Sequence, residues 1–306
     1  MMPCFLLRLL RCATGRLAAG TLLSLLICGQ AQSAAVTALL WEVKSATNTV
    51  YLFGSVHLAK ADFYPLPAAT EKAYLQADTV VVELDITDDM ASAKAMPLLT
   101  FTAPDKLENH LDTVTWAMLK KVAGTSIAQY QAYKPAVVAT GLALRAFAQQ
   151  GYDPAYGIDL HFIRRAKADQ KRLVELESMA FQAGVLGGLS DADGSALLQQ
   201  TLEGLQPGPA RGQMQREAEA MIASWKSGDA RALASMLRDA ANKDAGSKRL
   251  MKLLLDDRNV AMTEKITGLL ESGSKAFIVV GAGHLAGRNS IVDLLQRQDY
   301  QIRQIK

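Results

Sequence analysis

Beyond residue 28 this chain of 306 residues has no cysteine; Cys4, Cys12 and Cys28 all lie near its N-terminus. For the rest of the chain this excludes a disulfide framework, a thiolate zinc site and a cysteine nucleophile. A metal would have to be held by His, Asp or Glu, and a domain of this size can bury an adequate core without disulfides. A second long apolar run is also lacking, so no membrane span is expected after the N-terminal stretch. Surplus charge of one sign is lacking too. The formal net charge is +3, but the first 34 residues hold three arginines and no acid, which leaves 30 basic against 30 acidic residues in the remainder. Nothing in that balance suggests a nucleic-acid surface. There is no Gly-x-Ser-x-Gly elbow, no HExxH helix and no Walker loop, and Gly281-Ala282-Gly283 is an incomplete nucleotide fingerprint. Only four histidines are present.

Residues 1–34 read as a secretory signal peptide. Arg8, Arg11 and Arg16 precede the apolar stretch Leu17–Cys28, which is too short to span a bilayer, and Ala31-Gln32-Ser33 fits a cleavage signal. Leu25-Leu26-Ile27-Cys28 is similar to a lipobox, but Ile27 stands where a small residue is required, so lipoprotein anchoring is not expected. The expectation is an exported chain, periplasmic or secreted, with residues 35–306 forming one domain.

Strand-like segments gather at the two ends. Leu39–Val43 and Thr49–Gly54 flank a hairpin loop, Thr79–Asp85 reads TVVVELD, Arg172–Glu177 reads RLVELE, Lys275–Val280 reads KAFIVV, and Tyr300–Ile305 alternates as an edge strand would. Continuous apolar runs such as VVVEL and FIVV predict strands buried on both faces, as in a parallel sheet covered by helices. The rest reads helical, including Ala68–Gln76, Lys134–Gln150, Gly157–Gln170 and a long amphipathic helix over Ser247–Glu271. The expected fold is α/β: a central, mostly parallel sheet built from both chain ends, with a helical insertion around 88–271.

Two histidines occupy matching turns over 220 residues apart: YLFGSVHLAK holds Gly54 and His57, and IVVGAGHLAG holds Gly281 and His284. Each glycine falls where an apolar strand ends, so the backbone can turn sharply or approach a ligand closely. Ligands of open α/β sheets bind beyond the carboxyl ends of the strands. If the two strands are parallel neighbours, both imidazoles converge there, as metal ligands or general bases. Glu83 sits inside an apolar strand and near the same edge; a carboxylate there needs a partner or a cation. Glu175 and Glu177 both end their strand on one face, and the residues alone do not choose between them. Arg258 falls near the centre of an apolar arc made by Leu250, Met251, Leu254, Leu255, Ala261, Met262 and Leu269, so it needs a carboxylate or an anionic ligand. His110 and His161 read as non-ligands, and Arg164, Arg165 and Lys167 as a solvated helix face.

Taken in order, GSVHLAKADFYPLP, VVELD, KPAVV, GYDPAYGIDLHF, LVELES, WKSGD, DDRNVAMTEKI and VVGAGHLAGRNSIVDLL resemble the TraB/GumN family, whose animal relatives include the Tiki proteins. The resemblance covers about 39–306. It implies a core related to the erythromycin-esterase and haem-uptake superfamily. It implies a site made of His57, His284, Glu83, Glu177 (rather than Glu175) and Arg258, with Asn259 beside it. It also implies a metal-dependent peptidase, using manganese or cobalt, that acts on a peptide or protein. The resulting expectation is a hydrolase in which His57, Glu83 and His284 ligate a divalent ion, with manganese, cobalt and zinc all suited to such nitrogen and oxygen donors. Glu177 would accept a proton from the bound water. Arg258 would stabilise the oxyanion or hold Glu83 or Glu177 in place. The alternative is a non-catalytic protein that sequesters a peptide or small ligand in the envelope.

Overall fold

The computed structural model describes residues 36–37 and 39–305, so the expected signal peptide lies outside the described residues. Its strands are β1 (Leu39–Lys44), β2 (Thr49–Ser55), β3 (Thr79–Val82), β4 (Arg172–Glu175), β5 (Ala276–Gly281) and β6 (Gln301–Ile305). They form one sheet in the order β4-β3-β5-β2-β1-β6. The sheet is mixed, which corrects the expectation of a mostly parallel one. β4, β3, β5 and β2 pair in parallel, whereas β1 pairs antiparallel with both β2 and β6. The cause is local: β1 and β2 are joined by a tight turn in which the Ser45 N–H donates to the Asn48 carbonyl at 2.9 Å, and so short a link can only reverse the chain. β6 then adds at the open edge of β1, where its exposed and half-buried residues alternate as a one-sided edge strand requires.

Helices cover the sheet: α1 (Ala68–Gln76), α2 (Asp89–Leu99), α3 (Thr113–Ala123), α4 (Pro135–Gln149), α5 (Ile158–Ala168), α6 (Met179–Gly187), α7 (Asp191–Leu205), α8 (Pro209–Ser227), α9 (Ala230–Ala241), α10 (Ala245–Met251), α11 (Asp257–Glu271) and α12 (Ile291–Gln296). The stretch 88–271 is largely helical but also supplies β4 to the sheet. Apolar side chains form a main core around the sheet, from Leu39 and Phe53 to Phe162, Phe277 and Ile291. Two smaller cores lie among the inserted helices, one holding Leu84, Leu99 and Met179, the other Leu107, Leu119 and Leu198. Val82 and Leu176 belong to the main core, while Leu84 and Met179 belong to the first helical one. Glu83 and Glu177 therefore stand on the seam between two cores.

The long helix expected over Ser247–Glu271 is helical throughout but not uniform. Lys252–Asp256 forms a π-helical turn between α10 and α11. A wider turn shifts the phase of everything beyond it. The buried face of α11 is consequently Arg258, Asn259, Met262, Thr263, Ile266 and Leu270, and Ala261, placed on the apolar arc by an unbroken helical wheel, is exposed.

Candidate functional site

The four parallel strands deliver one group each to the same edge of the sheet. β2 leads into the turn carrying His57, and β5 into a 3-10 turn, Ala282–His284. β3 ends one residue before Glu83 and β4 two before Glu177. The two histidine turns are neighbours because β2 and β5 pair in parallel, with Ser55 opposite Gly281. Their glycines serve close approach. A Cβ on Gly54 would stand 3.2 Å from the Cα of Ala282, so the missing side chain lets one turn pack on the other. A Cβ on Gly281 would stand 3.2 Å from Glu83 Oε1, which the Gly281 N–H instead reaches at 2.7 Å.

Arg258 and the two carboxylates form the buried centre. Its Nε donates to Glu177 Oε1 at 2.8 Å and its Nη2 to Glu177 Oε2 at 2.5 Å. Nη2 also donates to Glu83 Oε2 at 2.7 Å, and Nη1 to the carbonyl of Leu254, in the π turn, at 3.0 Å. The fork geometry of guanidinium permits this two-carboxylate grip. Gln182, on α6, closes the arrangement: its Nε2 donates to Glu83 Oε2 at 2.9 Å and to Glu177 Oε2 at 2.8 Å. Both carboxylates and Arg258 are buried. Burial opposes the charge of Glu83, yet the neighbouring His284, Arg258 and His57 and the Gly281 N–H outweigh it and hold the carboxyl well below the usual range. Arg258 is pulled the other way by burial, but its two carboxylate partners raise it on balance.

His284 is fully buried, and its Nδ1 lies 2.6 Å from Asn259 Oδ1. The Asn259 amide is itself oriented, because its Nδ2 donates to the carbonyl of Asn289 at 2.8 Å. Oδ1 must then accept from the ring, which puts the proton on Nδ1 and an electron pair on Nε2, 3.6 Å from Glu83 Oε1. Burial, reinforced by Arg258 and opposed by Glu83, pushes the His284 pKa down to about 3, so the ring is neutral at ordinary pH. His57 differs in access: 31 % of its side chain is exposed, and its Nδ1 lies 2.7 Å from Asp159 Oδ2.

The expected members of the cluster are thus found at one sheet edge, and Glu177 rather than Glu175 joins Arg258. Glu175 is exposed and accepts the backbone N–H of Asp85 at 2.6 Å. His110 and His161 lie elsewhere. His110 is held by Asp105 and Asp191, and His161 packs edge-on against Phe162. The basic face of α5 is not simply solvated: Arg165 reaches Glu71 at 2.6 Å and lies over the Tyr74 ring. Two site residues escaped the sequence reading, Gln182 and Asp159. Gln182 carries no sequence signal beyond lying five residues after Glu177. Asp159 does carry one, an acid amid Ile158, Leu160, Phe162 and Ile163 on a helix start.

Glu83 and His284 make a donor pair, but among the described residues no group of three His, Cys, Asp or Glu side chains stands ready to hold a metal ion. The chemistry of the donors nevertheless suits one. Two carboxylates against one guanidinium leave a negative charge over in a buried site, and both imidazoles are anchored through Nδ1 by an oxygen, as ligating histidines are.

Comparison with known proteins matches residues 39–304 to the TraB/PrgY/gumN family. Uncharacterized protein YbaP of Escherichia coli (strain K12) is 26% identical over 254 residues, which is 80% of this chain and 87% of YbaP. Metalloprotease TIKI2 of Danio rerio is 24% identical, over 86% of this chain and 60% of its own length. Metalloprotease TIKI1 of Homo sapiens is 22% identical, over 89% of this chain and 62% of its own length. No solved structure matches.

Proposed function

The chain belongs to the TraB/PrgY/gumN family, and from that footing we propose that it is a metal-dependent hydrolase of peptide bonds, acting on a peptide or protein outside the cytoplasm, in the periplasm or beyond. The distant relatives named metalloproteases support the reaction class. The observation that carries the reading is the buried pair of Glu83 Oε1 and His284 Nε2, 3.6 Å apart, in a site with one carboxylate charge beyond what Arg258 balances.

His57, Glu83 and His284 would hold the divalent ion, with manganese, cobalt or zinc compatible with these donors. Such an ion supplies a Lewis acid and lowers the pKa of a water bound to it. The chain's own residues do the rest. Arg258 and Gln182 fix Glu83 so that its Oε1 faces His284. Asn259 keeps the His284 ring in one tautomer. Both oxygens of Glu177 are engaged, by Arg258 and Gln182, so its geometry favours anchoring over proton acceptance. Arg258 is likewise engaged on each of its nitrogens, which favours the second of its two expected roles, holding the carboxylates, over stabilising an oxyanion. A substrate carbonyl reaches the cluster from the His57 side, where the exposure lies.

The test is the metal content of the purified protein after supplementation with manganese, cobalt or zinc, beside His57→Ala and His284→Ala, followed by peptide-hydrolysis screening. Near one equivalent in the wild type, lost in both variants, is expected. No metal in any form would overturn the metallohydrolase reading and leave the sequestering protein as the better account.

A further inference from the structure

We infer that Asp159 is a positioning residue for His57: its carboxylate, carried in by α5, sets the tautomer and aim of the imidazole. The carboxylate is buried and bridges two groups of the first histidine turn. Oδ2 meets His57 Nδ1 at 2.7 Å, and Oδ1 accepts the hydroxyl of Ser55. Both of its oxygens are thus engaged, one by a hydroxyl that donates and the other by the ring nitrogen, as the two oxygens of a carboxylate can be. A carboxylate can only accept, which puts the imidazole proton on Nδ1 and the electron pair on Nε2, the atom turned away from α5.

The delivery of Asp159 is as fixed as its contacts. Ala59 and Asp153 exchange backbone hydrogen bonds at 3.3 and 2.8 Å, and the Ile158 N–H donates to the carbonyl of Val56 at 2.9 Å. Between these two ties Gly157 packs so tightly that a Cβ on it would lie 2.4 Å from the carbonyl oxygen of His57. Residues 153–159 thus run alongside the histidine turn, which brings Asp159 within reach of Ser55 and His57. The arrangement parallels Asn259 on His284 with one difference. The partner of the buried ring is a neutral amide, whereas the partner of the accessible ring is a charge, which makes Nε2 of His57 the stronger electron-pair donor.

This inference rests on reading His57 as part of the hydrolase site, but its test does not need turnover. Full-length protein labelled with 15N histidine, free of metal, reports the ring tautomers, and His57→Ala assigns the resonance. His57 is expected in the Nδ1–H form in the wild type and in the Nε2–H form, as in free histidine, in Asp159→Ala. Asp159→Asn, which retains an oxygen acceptor, is expected to restore the Nδ1–H form. In a cobalt(II) titration Asp159→Ala should bind about 10–100-fold more weakly. A wild-type His57 in the Nε2–H form would overturn the inference without any variant. So would a folded Asp159→Ala with unchanged tautomer and cobalt affinity. If the wild type binds no cobalt yet shows the Nδ1–H form lost in Asp159→Ala, the hydrolase reading fails and the positioning role stands.

Discussion

Arg258 is the residue on which the site turns. A buried cation among apolar neighbours is costly unless its partners are buried with it, and here Glu83 and Glu177 are. Removing it would strand both carboxylates on the seam between the sheet core and the first helical core. Arg258→Ala is therefore expected to lose about 3–5 kcal/mol of stability, read from urea unfolding. Arg258→Lys should recover only part of that, because one ammonium cannot repeat the grip of Nε and Nη2 on two carboxylates. Equal stability of the alanine variant and the wild type would show that the cluster does not bear on the fold.

At the scale of elements, inserted helices hold the turns at the sheet edge. Trp225 of α8 donates its ring N–H to the carbonyl of Gly54 at 2.7 Å and stacks on Phe63. α5 approaches the same turn at Gly157, and α11 reaches the other histidine through Asn259. Gly157→Ala puts a methyl group where the His57 carbonyl now lies, so α5 must withdraw and take Asp159 with it. A loss of about 1–3 kcal/mol is expected, together with weakened metal binding; thermal unfolding and a cobalt titration check the two effects. A Gly157→Ala protein with wild-type values in both would mean that α5 can shift without consequence for the turn.

At the scale of the whole molecule, small cores among the helices are tied together by polar contacts as well as apolar ones. His110 stacks on Phe101 and is gripped by Asp191 through Nδ1 and Asp105 through Nε2, each at 2.8 Å. Burial lowers its pKa, but the two carboxylates outweigh that and raise it above 6.5. A histidine with a raised folded-state pKa adds stability that is fully present below pH 6.5 and fades as pH rises through the raised value. The stability difference between the wild type and His110→Gln should accordingly be larger at pH 5.5 than at pH 8.5, measured by urea unfolding at each pH. A difference independent of pH would show that stacking alone accounts for His110.

Much of this molecule is determined locally and was legible in the sequence. Helix α1 spans the predicted residues, the hairpin and the alternating edge strand are where their patterns place them, and both glycine–histidine turns fall at strand ends. These features depend on nearest neighbours in the chain: periodicity, turn residues, and the misfit of a charge in an apolar run. What the sequence left open depends on partners distant along the chain. Strand pattern and charge do not separate Glu177 from Glu175; apart from the family resemblance, what separates them is which one Arg258, 81 residues on, reaches. The reversal of β1 is local to its hairpin, but the mixed sheet also needs distant partners: β2 pairs in parallel with β5, and β1 takes β6 antiparallel on its open edge. The π turn that resets α11 leaves no periodic trace, and Gln182 is a polar residue on a helix until two carboxylates close around it. Patterning along the chain specifies which segments form elements and which residues must find a partner. The choice of partner belongs to the packed structure, because burial makes an unmet charge too costly to leave alone.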